Sequence, residues 1–349
     1  MIISVAGKPS VGKSSFFKAC TMAEVAIANY PFTTLKASEG VAYIRVDCVD
    51  KEFNVKCNPR FGYCINGKRF VPIKLYDVPG LIEGSYKGHG MGNQFLSELG
   101  EADAFIHIID ISGSTNEKGE PVAPLDYDPL KDVKFMENEL DQWYLSIIQK
   151  GWERFARTIK QEKKNLIQSI TKQLSGLKVT EGMVKEVVRN LPEDVMQWKE
   201  KELFELSSSL RKKSKPMLIA ANKIDVPGSD KNFERLKKEF PEYIIIPCSA
   251  DCELALKEAA RSGFIDYIPG ESKFNIKKEL NEKQKKALDF IQRSILDVYG
   301  STGVQECLDK AAFELLRLMA VFPGGVNKLA DSEGRIMPDC FLLPQNSTA

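Results

Sequence analysis

Two short stretches, Gly7-Lys8-Pro9-Ser10-Val11-Gly12-Lys13-Ser14 and Asn222-Lys223-Ile224-Asp225, carry residue types and spacings that suit the binding of a guanine nucleoside triphosphate. In the first, glycines at 7 and 12 let the backbone fold around a phosphate chain, so that N–H groups and a helix N-terminus face the negative charge. Lys13 would neutralise the β- and γ-phosphate oxygens, and Ser14 would offer its hydroxyl to Mg²⁺. In the second, Asp225 is an acceptor pair for the N1–H and exocyclic amine of guanine, which adenine cannot supply, while Lys223 can lie along the ring plane. Ser249-Ala250 would bring a backbone N–H to the guanine O6.

Between these stretches stands Asp77-Val78-Pro79-Gly80, which alone reads as a turn but gains meaning from its position after the phosphate loop. Asp77 would hold Mg²⁺ through water, and the Gly80 N–H can approach the γ-phosphate with no Cβ in the way. A threonine of Asn29-Tyr30-Pro31-Phe32-Thr33-Thr34 would close over the metal and γ-phosphate while the triphosphate is intact. The ordered set implies a GTPase, hydrolysing GTP to GDP and phosphate.

The elements that must position these residues follow from apolar runs. Ile2 to Ala6 reads as a buried strand and Ser14 to Cys20 as a helix, the strand–loop–helix setting a phosphate loop needs. Further strands fall at Gly40 to Ile44, Val71 to Tyr76, Ala104 to Asp110, Met217 to Ala221 and Tyr243 to Cys248, with a hairpin turn at Asn66-Gly67. The expected fold is α/β: a P-loop NTPase with a doubly wound, mostly parallel sheet. Residues 1–114 and 215–250 form the two parts of the GTPase domain. Between them, residues 115–214 show helical spacing (Leu140, Tyr144, Ile147; Leu166, Ile170, Leu174; Val184, Val187, Leu191; Leu203, Leu206, Leu210), with Gly182 and Pro192 as punctuation. They read as an α-helical insertion, the alternative being helices that extend the sheet's outer layer. A second helical insertion spans 251–299, around Ala255, Leu256, Ala259 and Ala260, then Leu288, Ile291, Ile295 and Val298; a closing helix over Thr302 to Met319 lies within 300–320.

With Asn29 to Thr34, Asp77 to Gly84 and Lys87-Gly88-His89-Gly90-Met91-Gly92-Asn93-Gln94-Phe95-Leu96, the chain resembles the Obg-HflX superfamily of translation-factor GTPases. The segment Val133 to Trp152 and the run Gly300 to Glu306 carry the resemblance to the archaeal and eukaryotic branch related to YchF. The resemblance implies a phosphate loop over Gly7 to Ser15, Thr34 as the switch threonine, Asp77 and Gly80 as the γ-phosphate sensor, Asn222, Lys223 and Asp225 as the base reader, and Ser249 with Ala250 as the last guanine contact. Lys13, Thr34 and Gly80 are then the catalytic candidates, and Ser14, Thr34 and Asp77 the metal ligands. YchF-type proteins have an altered base-reading motif and prefer ATP; Lys223 and Asp225 imply GTP here, with a YchF-like ATPase as a rival. Relatives often carry a potassium-coordinating Asn where this chain has Ser10, which leaves potassium activation doubtful. The resemblance also implies a ribosome or RNA partner.

Leu81 follows Gly80, where signalling GTPases present a water-orienting glutamine. An isobutyl group cannot orient water, so intrinsic turnover should be slow, and a GTP-loaded assembly or sensing module with negligible hydrolysis is a further rival. His89 reads as an exposed loop residue and His107 as a core one.

The 349 residues, 43% hydrophobic and 28% charged with net charge +1, can bury more than one core and exert no global pull on nucleic acid. No run nears the ~18 apolar residues of a membrane span, and the chain starts on a core strand, so the expected location is cytoplasmic. Cys48, Cys57 and Cys64, or Cys248 and Cys252, can be imagined as zinc ligands, but irregular spacing and the lack of a nearby histidine favour reduced structural thiols. Residues 321–349, with Val321-Phe322-Pro323 and Leu342-Leu343-Pro344, resemble the opening of a TGS domain, a β-grasp module associated with RNA or ribosome binding. About thirty residues are too few to complete that fold, so the module is expected to be partial.

Overall fold

The computed structural model describes residues 1–22, 38–78, 80, 100–324 and 328–348. Its sheet is built from β1 (Ile2–Ala6), β2 (Glu39–Asp47), β3 (Tyr63–Ile65), β4 (Lys68–Asp77), β5 (Ala104–Asp110), β6 (Met217–Asn222) and β7 (Ile245–Pro247). The strand order is β2-β4-β1-β5-β6-β7, with β3 also paired to β4. β4, β1, β5, β6 and β7 run parallel, while β2 and β3 join β4 antiparallel. Every residue of β5 and β6 is buried, the mark of strands covered on both faces, and it is why they read as unbroken apolar runs.

Ile3, Val5, Ile106, Ile108, Leu218 and Ala220 face α1 (Lys13–Thr21) and the helix α10 (Val304–Lys310). On the opposite face, Phe105 and Met217 pack against α2 (Leu130–Gln149) and α6 (Glu200–Ser214), while Ile109, Ile219 and Ala221 meet α7 (Ser229–Glu239) and α8 (Ala250–Arg261). Between α2 and α6 lie α3 (Trp152–Glu162), α4 (Leu166–Gln173) and α5 (Glu181–Val188). Their apolar cluster is continuous with Ala6, Tyr76, Phe105 and Met217 of the sheet, and within it the Trp152 and Trp198 rings stack at 5.6 Å. Arg211 Nε donates to Asp141 Oδ1 at 2.7 Å and so ties α6 to α2 inside that core.

Several elements differ from expectation. Gly182, expected as punctuation between helical runs, stands at the start of one, in the first turn of α5, which Thr180 caps through the Met183 N–H. Residues 251–299 hold, besides α8 and α9 (Glu282–Ile291), an antiparallel pair β8 (Ile265–Tyr267) and β9 (Phe274–Ile276). These three-residue strands are too short to show a period-2 pattern. The closing helix does not reach Met319: α10 continues through a π-turn, Ala311–Leu315, and Arg317 then takes a left-handed φ of 51° that the helix cannot accommodate. β10 (Leu318–Val321) follows and pairs antiparallel with β11 (Phe341–Pro344). The turn joining β3 and β4 agrees with the sequence, since Asn66 and Gly67 both have positive φ, 51° and 79°.

Candidate nucleotide-binding site

β1 and β4 end side by side, with Val5 in register with Asp77; β5 and β6 do the same, with Asp110 beside Asn222. All four point their carboxyl ends at one edge of the sheet, the place where open parallel sheets bind ligands. Gly7 to Gly12 leave β1 there and lead into α1. A Cβ at Gly7 would stand 2.4 Å from the Ile108 carbonyl oxygen, and one at Gly12, where φ is 93°, would stand 2.3 Å from Asn222 Nδ2. Glycine is therefore required at both positions by the neighbouring strands as well as by the loop's own curvature.

Lys13 opens α1. Burial holds its ammonium below the ordinary lysine range, and the Asp77 carboxylate opposes that shift. A polyphosphate at the loop would supply the negative charge that burial otherwise withholds. Ser14 is exposed at the start of the helix, Ser15 is half-buried, and Ser10 takes a positive φ of 63°. Gly80 comes back against the loop, its α-carbon side facing Pro9 at 3.2–3.3 Å from where a Cβ would be. Lys8 behaves differently from the rest of the stretch. Its side chain turns away from the loop, donating to the Thr115 carbonyl at 2.9 Å, pairing with Asp132 Oδ2 at 2.8 Å and lying 3.8 Å from the centre of the Tyr127 ring. Only its backbone remains to serve a nucleotide.

Asn222 joins the two stretches. Its Nδ2 donates to the Val11 carbonyl at 2.8 Å, and its Oδ1 accepts from the Ala250 N–H at 3.0 Å. Lys223, at φ 64°, donates to Asp110 Oδ2 at 2.9 Å, and Asp225 is half-buried just beyond it. Burial pushes the Asp110 carboxyl up, but hydrogen bonds from Ser112 and Lys223 outweigh it and hold the group below the usual carboxylate range. Ser114 and Thr115 donate to the same carboxylate at 2.8 and 2.9 Å.

The arrangement at Ser249 and Ala250 is not as expected. The Ser249 N–H donates to the Thr302 carbonyl at 2.9 Å, and the Ala250 N–H is taken by Asn222, so both groups foreseen for the guanine O6 already have acceptors. Ser249 also caps α8 by accepting from the Cys252 N–H.

Thus Gly7 to Ser15, Asp77, Gly80, Asn222, Lys223, Asp225, Ser249 and Ala250 gather at one sheet edge, with the Lys8 side chain directed elsewhere. Thr34, Leu81 and His89 lie outside the described residues, as do residues 29–34 and 81–96 that carry the resemblance. His107 is buried on β5, and burial, with Lys8 adding to it, pushes its imidazole down to about 3, so it stays neutral. Sequence reading missed two positioning residues. Asp110, which anchors Lys223, was visible only as a carboxylate ending a strand. Thr302, whose carbonyl holds Ser249, was visible only as the expected start of the closing helix and within a run that carries the resemblance.

A parallel sheet bearing this phosphate loop and base-side loop defines a P-loop nucleotide-binding protein of the GTPase class. Residues 2–150 match the family described as 50S ribosome-binding GTPase, and residues 220–325 match Obg-like GTPase YGR210-like, G4 motif-containing domain. The chain is 47% identical over 349 residues to an uncharacterized GTP-binding protein of Methanocaldococcus jannaschii, covering 100% of this chain and 88% of that one. It is 26% identical over 352 residues to the ribosome-binding ATPase YchF of Bacillus subtilis, covering 96% of this chain and 82% of that one. Among solved structures, the GTP binding protein from Pyrococcus horikoshii OT3 matches with a TM-score of 0.78 at 37% identity, covering 100% of this chain and 87% of that one. The chain belongs to the Obg-like and YchF-like family of P-loop GTPases and is a GTP-binding protein of that family.

Proposed function

We propose that this protein hydrolyses GTP to GDP and phosphate in a Mg²⁺-dependent reaction and acts as a slow switch with a ribosomal partner. The observation that carries the reading is the Asn222 side chain, which spans from the Val11 carbonyl to the Ala250 N–H and so makes the phosphate loop and the base-side loop one unit. Lys223, fixed by Asp110, and Asp225 beyond it favour guanine.

The donor set fits Mg²⁺, since the Ser14 hydroxyl and the Asp77 carboxylate are hard oxygen ligands at the phosphate end of the site. Thr34 would be the third. When bound, the ion would neutralise charge on the phosphate oxygens. Lys13 would stabilise charge that builds on the γ-phosphate as water attacks it, from a pocket dry enough to depress its own pKa. The Gly80 N–H would sense the γ-phosphate, because the Gly80 backbone packs against Pro9. For the Ala250 N–H to reach the guanine O6, Asn222 must share it.

The ribosomal partner rests on the matched family description and on the printed name of the Bacillus subtilis relative. Residues 321–349, which contribute β11 and its pairing with β10, are proposed as the partial TGS-like part of that contact surface. Single-turnover hydrolysis of GTP with and without ribosomal subunits tests the switch. Acceleration by subunits supports it, and equal, negligible rates favour the sensing module instead. An ATPase is the second reading, from the name of the same relative. ATP displacing GTP at equal concentration would establish that reading.

A further inference from the structure

Away from the nucleotide site, three thiols and a carboxylate converge. Cys48 follows β2, Asp50 lies in the 3-10 turn Val49–Lys51 that comes next, Cys57 sits in the following loop, and Cys64 is the middle residue of β3. One ligand atom from each lies within 4.8 Å of every other, and the Cys48 and Cys57 sulfurs are 3.5 Å apart. The irregular spacing that argued against a site is closed up by the fold: the β3–β4 hairpin returns its turn to the end of β2, where the Cys48 N–H donates to the Gly67 carbonyl at 2.8 Å.

We infer that Cys48, Asp50, Cys57 and Cys64 form a structural site for one thiophilic divalent cation of the zinc class. Four donors without histidine, three of them sulfur, are the closed tetrahedral set such an ion takes. Zinc–sulfur bonds of about 2.3 Å imply sulfur–sulfur edges of about 3.8 Å, close to the separation here. Asp50 supplies a second, independent observation. It is 7% exposed, and although the Cys48 and Cys57 thiols and the Cys57 and Lys51 backbone hydrogen-bond its carboxylate, its buried Oδ1 has no partner of good geometry among the described residues. A buried carboxylate oxygen held only by weak thiol donors is costly, and a cation among the thiols would satisfy it. Arg69, in register with Cys64 on β4 and almost fully buried, is placed to offset part of the excess negative charge of the ligands.

The site would act as a clip between the sheet and the C-terminal segment. Cys48 and Cys57 share an apolar cluster with Met337, Leu329 and Ile336. Next to it, the Asn58 N–H donates to the Ile336 carbonyl at 2.8 Å, and the Arg69 guanidinium donates to the carbonyls of Met337 and Pro338. Metal binding at this joint would count toward folding free energy.

The test uses the full chain, purified under reducing conditions with zinc in the medium. Its metal content is measured by plasma mass spectrometry, and the stripped chain is titrated with Co²⁺ while the visible spectrum is read. The expected result is one zinc per chain, an intense tetrahedral thiolate–cobalt spectrum that zinc abolishes, and a thermal midpoint that falls on stripping and recovers with zinc. Cys57→Ser should lose the spectrum and still bind GDP, which shows that it folds, whereas Cys307→Ala, in a different core, should keep the spectrum. The inference is overturned if the unmodified chain takes up neither metal stoichiometrically. It is equally overturned if Cys57→Ser, binding GDP, retains the same uptake, or if the reduced preparation carries a Cys48–Cys57 disulfide in place of metal.

Discussion

Lys13 and Lys8 belong to the same loop and do opposite work. Lys13 stays at the phosphate end beside Asp77, so Lys13→Ala should reduce GTP affinity by at least a hundredfold, read by equilibrium titration; unchanged affinity would remove the phosphate-loop assignment. Lys8 is 3% exposed and pairs with Asp132, which is also buried. Removing one partner of such a pair leaves an uncompensated charge, so Lys8→Met should destabilise folding by about 3–5 kcal/mol in urea melts, and adding Asp132→Leu should recover most of the loss. If the double variant is no more stable than the single one, the pair is not what holds Lys8. The difference between the two lysines was not legible in the sequence. A phosphate-loop pattern specifies backbone curvature and the lysine before the serine, while the direction of the Lys8 side chain depends on Thr115, Tyr127 and Asp132, which the chain brings back only after β5. With Asp225 proposed as the acceptor pair for guanine, Asp225→Asn should shift preference towards xanthine nucleotides, whose 2-oxo group needs a donor, read by competing XTP against GTP; unchanged preference would remove that role.

At the scale of elements, the central sheet strands were the most legible part, because β1, β5 and β6 are buried on both faces and mostly apolar, broken only by buried groups such as Ser4 and His107. The end of α10, the π-turn that continues it and the short β8–β9 pair were not legible. They are set by tertiary fit, as at Arg317, whose left-handed φ nothing local requires. The junction of α6 and β6 shows a further effect of burial. Lys215 is 1% exposed and donates to the carbonyls of Gly100 and Ala102 at 2.6 and 2.7 Å. Burial, with Lys178 adding to it, pushes its ammonium down to about 7 from 10.5. The unfolded chain therefore holds a proton that the folded one has released between about pH 7 and pH 10. Stability from this group should rise with pH across that window, by at most about 1.4 kcal/mol per unit, and be lost as pH falls through 7. Urea midpoints taken across that range should show the slope, and Lys215→Met should flatten it. An identical slope in both proteins would assign the effect to other groups.

For the whole molecule, the phosphate loop, the base-side loop, Asp77 and Gly80 come from distant parts of the sequence and meet at one edge of one sheet, where Asn222 joins the phosphate loop to Ala250. Their order along the chain was enough to anticipate this, since a parallel sheet delivers successive strand ends to the same side. Asp110 and Thr302 were missed because they act on other site residues and belong to no motif. With Leu81 where a glutamine would orient water, intrinsic turnover of GTP should be of order 10⁻⁴–10⁻² s⁻¹, measured by phosphate release under single-turnover conditions. Fast unassisted turnover would mean that water is positioned by a group not identified among these residues. Whether this edge reads guanine, as proposed, is decided by equilibrium competition of unlabelled ATP against labelled GTP on the unmodified protein with Mg²⁺. A hundredfold excess of ATP should leave most GTP bound; displacement at equal concentration would show that the edge does not select guanine.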